Sequence, residues 1–246
     1  MWFLGFDNTI FLLIPAIILS IYAQWKVRST FTRYSQVPTQ RGMTGGEVAV
    51  HILNGQGAAA GVERGNEALA RAGMLGVRVE ITSGALSDHY DPSARVLRLS
   101  EEVYSSDSIA AVSVAAHEAG HALQHAVQYP FLGLRSMAVP LANIGSQLTF
   151  PILLIGMLAG MFTQALSIAI LLYLGVVAFT VITLPVELNA SNRAMQVLAQ
   201  GGYLTEGELP GARAVLSAAA LTYVAATVSA ILTLLRLVIL RDMSRR

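Results

Sequence analysis

Three long stretches of the chain carry no charge, and what lies between them is patterned differently. Residues 8–25 form the first, an 18-residue apolar run, at the short end of the roughly 17–25 residues that cross a bilayer as a helix. Residues 136–186 form the second, 51 residues without a charge; as helix that is about 77 Å, enough to cross a hydrocarbon core about 30 Å thick twice. A hairpin is expected there, with limbs over 144–162 and 165–184 and a turn over 160–164. Residues 214–235 form the third run and predict a fourth membrane helix. Asp7 stands where a cleavable leader would carry its basic residues, no small-residue cleavage site precedes Lys26, and Trp25, Lys26 and Arg28 suit an interfacial anchor. The first run is therefore expected to remain in the membrane.

Residues 26–135 mix charge, glycine and short apolar segments, as a compact domain exposed to water would. Residues 44–53 predict a short helix with Val48, His51 and Ile52 along its apolar side. A Gly/Ala-rich loop over 54–65 leads to a helical stretch over 66–72. Residues 77–81 alternate as a half-buried strand, and 95–99 do so again. Between them, Ser87 to Pro92 has the Asp, Ser and Pro of a β-turn. A sharper reading lays this hairpin along a substrate cleft, with its edge strand pairing to a peptide backbone and Asp88, His89 or Tyr90 polarising the site.

The chemistry of the chain is concentrated in His117-Glu118-Ala119-Gly120-His121, a HExxH motif within a helical run over 112–125. On an α-helix, positions i and i+4 lie about 40° apart round the axis and about 6 Å along it, so both imidazoles can converge on one ion with Zn–N bonds of about 2.1 Å. Glu118, on the shoulder of that face, can take a proton from a metal-activated water and pass it to a leaving amine. Shuffling the chain's own residues would give this motif about once in three hundred tries. Ser106, Asp107 and Ser108 offer an N-cap, and the alanines around the motif favour helix. Gly120 costs about 1 kcal/mol against Ala there, which makes sense if another backbone or a substrate comes close.

Composition narrows the metal and the partners. With 54% hydrophobic and 13% charged residues, the chain is far more apolar than a soluble domain, which has roughly 25% charged. No cysteine is present, so a zinc site must be built from His and carboxylate. The 16 basic residues are scattered and the net charge is +1, which offers nucleic acid no binding stripe. The expected partners are a peptide or protein substrate and the lipid bilayer; the pattern specifies no oligomeric state. Lys26, Arg28, Arg33 and Arg41 place the domain after the first helix in the cytoplasm, whereas four crossings put Arg241, Arg245 and Arg246 on the other side. We expect a cytoplasmic catalytic face.

The chain resembles the bacterial neutral zinc metallopeptidases of the YugP-like group, which are membrane proteins. The resemblance rests on Gln24-Trp25-Lys26-Val27, on Asp88-His89-Tyr90-Asp91-Pro92 leading into Val96 to Ser100, on the HEAGH helix, on Asn143-Ile144-Gly145-Ser146 and on Leu184-Pro185-Val186-Glu187. The layout is also similar to that of HtpX-type membrane proteases, in which a transmembrane hairpin separates HExxH from a later Glu ligand, a gluzincin plan. What this implies is a zinc endopeptidase of membrane or misfolded proteins, a multi-pass protein of the bacterial inner membrane. The HtpX-type pattern Glu-x-x-Ala-Asp is not fully kept. Ser191 stands where the Asp would be, leaving Asn189 or another group to orient the ligands. A membrane scaffold that keeps a structural zinc site without turnover is the competing reading, and the intact Glu118 speaks against it.

Two residues compete for the third ligand position. His125 lies eight residues beyond His117, about 12 Å along the helix and about 80° round it, so a straight helix does not bring His117, His121 and His125 to one ion. Glu187 follows a hairpin that returns the chain to the face it left. The expected metal ligands are His117, His121 and Glu187, with water as the fourth. The expected architecture is a mainly α integral membrane protein: about four transmembrane helices, with a small α+β zincin-like catalytic domain between helices 1 and 2. In chain order this gives a first helix over 1–25, the catalytic domain over 26–135, the hairpin over 136–186, a ligand-bearing connector over 187–213 and a last helix with a basic tail over 214–246.

Overall fold

A computed structural model describes residues 8–55, 76–84 and 86–245. The helix expected over 66–72 and most of the Gly/Ala-rich loop lie outside the described residues. A 3-10 turn, Asn8–Leu13, runs into α1, Ile14–Ser35. Then follow α2, Gly45–Leu53; strands β1, Arg78–Thr82, β2, His89–Asp91, and β3, Val96–Ser100; and the short α3, Glu101–Ser105. The HExxH helix is α4, Ile109–Ala126, and three long helices close the chain: α5, Pro130–Leu158, α6, Phe162–Gln200, and α7, Leu209–Ser244. Four helices are long and apolar enough to cross a membrane: Asn8–Ser35 (the 3-10 turn with α1), α5, α6 and α7.

The chain divides into two units, each assembled from separated segments. The first comprises Met1–Gln24, Gly133–Val186 and Leu221–Arg246. Its surface is rich in large apolar side chains, among them Ile18, Ile155, Leu158 and Leu171. Such a surface is costly in water and suited to lipid. Without a hydrophobic drive between helices in lipid, association depends on close packing of small residues. Here a Cβ on Gly145 would collide with the Leu172 carbonyl, and one on Gly156 with the Ala165 side chain, so both glycines bring α5 against α6. The turn between them is tighter than expected, only residues 159–161.

The second unit comprises Trp25–Leu132 and Glu187–Ala220. Its sheet has the order β1-β3-β2, with β1 parallel and β2 antiparallel to β3. The two strands expected from the sequence are therefore not partners in a hairpin. The polar turn between them contributes a strand of its own, β2, which pairs antiparallel with β3 and leaves β1 and β3 running the same way. Central β3 is buried at Val96, Leu97, Leu99 and Ser100. A core of Val48, Ile52, Leu97, Leu99, Val112, Ala119, Leu123 and Leu198 joins sheet, α2, α4 and the end of α6.

Caps fix where the helices start. Thr44 accepts from the Glu47 amide at 3.2 Å while the Glu47 carboxylate accepts from the Thr44 amide at 2.9 Å, a capping box at the head of α2. Ser108 caps α4 by accepting from the Ala111 amide at 3.2 Å. The buried Glu208 accepts from the Gln40 amide at 2.7 Å and from the amide and hydroxyl of Thr205 at 2.7 and 2.8 Å, tying residues 38–41 to the start of α7. Pro185 does not end α6, which continues to Gln200. Proline inside an apolar helix is tolerated where neighbouring groups satisfy the freed carbonyl, so Glu187 lies within a helix rather than at its end.

Candidate metal centre

α4 and the Glu187–Gln200 end of α6, both within the second unit, build the site. Gly120 faces the backbone of Ala190: a Cβ at position 120 would lie 2.7 Å from the Ala190 carbonyl oxygen. This is the close approach that a mid-helix glycine suggested, and the approaching backbone is that of α6. With α4 and α6 in contact here, His117, His121 and Glu187 turn their ligand atoms to one point.

Glu187 Oε2 lies 3.3 Å from His117 Nε2 and 3.5 Å from His121 Nε2. All three ligand atoms fall within 4.8 Å of one another, and the two imidazoles meet edge to face with centroids 4.9 Å apart. Two donors about 2.05 Å from a zinc ion at a tetrahedral angle are about 3.3 Å apart. The two His–Glu separations match that spacing. The carboxylate is 1% exposed and the imidazoles 12% and 10%, so the cluster is shielded from bulk water. The donor set of two neutral nitrogens and one carboxylate oxygen suits zinc with an open fourth position. The residues present fit the metal.

Each imidazole is held from behind through its other nitrogen. His117 Nδ1 is 3.2 Å from the Ser191 hydroxyl, and His121 Nδ1 is 3.0 Å from Gln124 Oε1. Ser191, flagged in the sequence as a departure from an aspartate, sits against a ligand and orients it as a hydroxyl. Gln124 is fully buried and its Nε2 donates to Asn189 Oδ1 at 3.0 Å. Asn189 thus touches the site through Gln124. Sequence reasoning passed over Gln124, although a Gln three residues after His121 on the same helix is placed to reach that ring.

Burial pushes the Glu118 carboxyl above its ordinary range, partly opposed by His117 and His121 and reinforced by the charges of Glu187 and Asp88. His121 is driven down by burial, but its bond to Glu187 and the charges of Glu118 and Glu187 more than offset this and hold it above its ordinary range.

The other candidates occupy β2 and its approach. Asp88 accepts from the Ser100 amide at 2.7 Å and from its hydroxyl at 3.0 Å, fastening β2 to the end of β3. His89 is exposed and bonds the Ser87 carbonyl oxygen at 2.7 Å. The Tyr90 hydroxyl lies 2.8 Å from His125 Nδ1, and burial pushes that phenol up to about 12. His125 therefore joins the sheet and stays outside the His117, His121, Glu187 group.

A His-His-Glu cluster that could hold a metal ion is thus split between the HExxH helix and a later helix, in a chain with four helices long and apolar enough to cross a membrane. The chain belongs to the neutral zinc metallopeptidase family: the family model described as "Putative neutral zinc metallopeptidase" matches residues 9–242. It is 45% identical over 231 residues to the "Putative membrane protease YugP" of Bacillus subtilis (strain 168), covering 94% of this chain and 95% of that protein. No solved structure matches the chain.

Proposed function

We propose that the chain is a membrane-integrated zinc endopeptidase that hydrolyses peptide bonds of membrane or misfolded proteins, working from the cytoplasmic face of the bacterial inner membrane. The observation that carries this reading is the convergence of His117 Nε2, His121 Nε2 and Glu187 Oε2 at separations that suit tetrahedral zinc.

A zinc ion held there would supply Lewis acidity, lowering the pKa of a water toward neutrality and polarising the scissile carbonyl. To a bound zinc ion His117 and His121 would offer neutral Nε2 lone pairs, and Glu187 would bring one negative charge. Glu118 takes the proton of the attacking water and returns it to the departing amine. Its place directly after His117 on the same helix puts its carboxylate beside the metal position, where both proton transfers take place. β2 lies at the edge of the sheet, and we assign it to the substrate backbone, which would add as a further strand. Asp88 holds that edge in place, His89 and Tyr90 stand along it, and Asn189 orients Gln124. The test is metal analysis of the purified protein beside cleavage of casein with and without chelator. The reading predicts bound zinc and cleavage that stops when zinc is removed; a metal-free protein that cleaves would refute it.

A further inference from the structure

A chain of three side chains behind His121 fixes the direction of every hydrogen bond in it. Arg193 Nε is 2.8 Å from the side-chain oxygen of Asn189, four residues back on α6. A guanidinium can only donate, so the Asn189 atom facing it must be the oxygen. That same oxygen faces the Gln124 side chain at 3.0 Å, so Gln124 must present its NH2 there and its carbonyl at the other end. That carbonyl lies 3.0 Å from His121 Nδ1. An amide oxygen only accepts, so Nδ1 must carry the proton. In a neutral ring this leaves the lone pair on Nε2, the atom that an ion shared with Glu187 would take; without an ion the Glu187 carboxylate, which only accepts, favours a proton there instead.

We propose that Arg193, Asn189 and Gln124 form a directional relay that locks His121 in the Nδ1–H tautomer, making Arg193 a positioning residue for a ligand it does not touch. Amides and imidazoles are ambiguous by themselves, since each can reverse donor and acceptor by a flip or a proton shift. The permanent donor at Arg193 removes the ambiguity, and the full burial of Gln124 keeps water from satisfying a reversed amide. Metal-bound imidazoles commonly use a carboxylate or backbone carbonyl for this task. Here the acceptor is a neutral amide whose orientation is set from the next helix, which requires the close contact of Gly120 with Ala190.

The inference rests on the zinc reading, and the experiment separates the two. Full-length protein in detergent is titrated with zinc against a chelator of known affinity. The ring nitrogens of His121 are also followed by 15N NMR at alkaline pH in a metal-free Glu187→Ala background, where no carboxylate competes for a proton on Nε2. Arg193→Met and Gln124→Leu are expected to weaken zinc by about 10–100-fold, the range found when groups behind a ligand are lost, and to add the Nε2–H form to the spectrum. Asn189→Asp keeps an acceptor for both donors and is expected to keep the wild-type tautomer, whereas Asn189→Leu loses it. Arg193→Met and Gln124→Leu with wild-type zinc affinity and a pure Nδ1–H spectrum would overturn the relay. A wild-type protein that binds no zinc, with the tautomer lock still seen in the Glu187→Ala background, would overturn the zinc reading and leave the relay standing.

Discussion

Gly120 and the carbonyl of Ala190 are packed so closely that only a hydrogen fits between α4 and α6 at that level. Gly120→Ala sets two effects against each other. Alanine favours the helix by about 1 kcal/mol, while overfilling a packed interface costs about 1–3 kcal/mol. We expect the steric cost to win and α4 to move from α6, spreading ligands that tolerate only about 0.2 Å of displacement. The expected outcome is at least tenfold weaker zinc binding in a chelator competition. A more stable variant with unchanged affinity would show that the contact does not set the site.

Glu187→Ala removes the only carboxylate of the ligand group and should lose the metal or bind it far more weakly. His125→Ala should retain one zinc per chain, because His125 is engaged with Tyr90. Zinc stoichiometry after desalting checks both variants. The reverse pattern would transfer the third ligand to His125.

Much of this was legible in the sequence, and the limits are physical. The HExxH helix, its Ser108 cap and the apolar runs follow from local periodicity and capping, which neighbouring residues decide. The register of Glu187 against His117 depends on a hairpin more than fifty residues long and was reached by resemblance and helix geometry. The parallel pairing of β1 with β3 was missed because both strands alternate in the same way whichever direction they run, and the three-residue β2 reads as a turn. Gln124 and Arg193 were missed as well. Their part depends on which donors face which acceptors across two helices, and residue types alone do not carry that.

Glu208 supplies a stability test away from the metal. Its carboxyl is held below the ordinary range: burial pushes it up, but the amides of Thr205 and Gln40 and the Thr205 hydroxyl outweigh this. A depressed folded-state pKa stabilises the protein above the unfolded value of about 4.3, and that stabilisation is lost as pH falls through the folded value. Glu208→Gln should cost about 2 kcal/mol at neutral pH, as expected for bonds to a charged acceptor. The gap to wild type should hold from pH 6 to about 4.3 and shrink as the medium is acidified below that, through the lowered folded value. A gap that stays constant well below about pH 4.3 would rule out the carboxylate as its source.

Arg78 and Glu206 belong to the same unit although the hairpin separates them in sequence. Single cysteines at these two positions, introduced into a chain with no native cysteine, should be labelled by an impermeant maleimide from one side of the membrane only. With the proposed orientation that side is the cytoplasm, so labelling requires inverted vesicles. Labelling of the two positions from opposite faces would refute the paired crossings.

If Glu118 works as a base beside a zinc ion it does not hold, the casein-cleavage rate of purified Glu118→Gln at matched zinc content reports it most directly. General-base loss alone lowers rates by about 10²–10⁴-fold. We predict one zinc per chain in wild type and variant, with cleavage by the variant at least a hundredfold slower. A Glu118→Gln protein that holds zinc and cleaves at the wild-type rate would contradict the account.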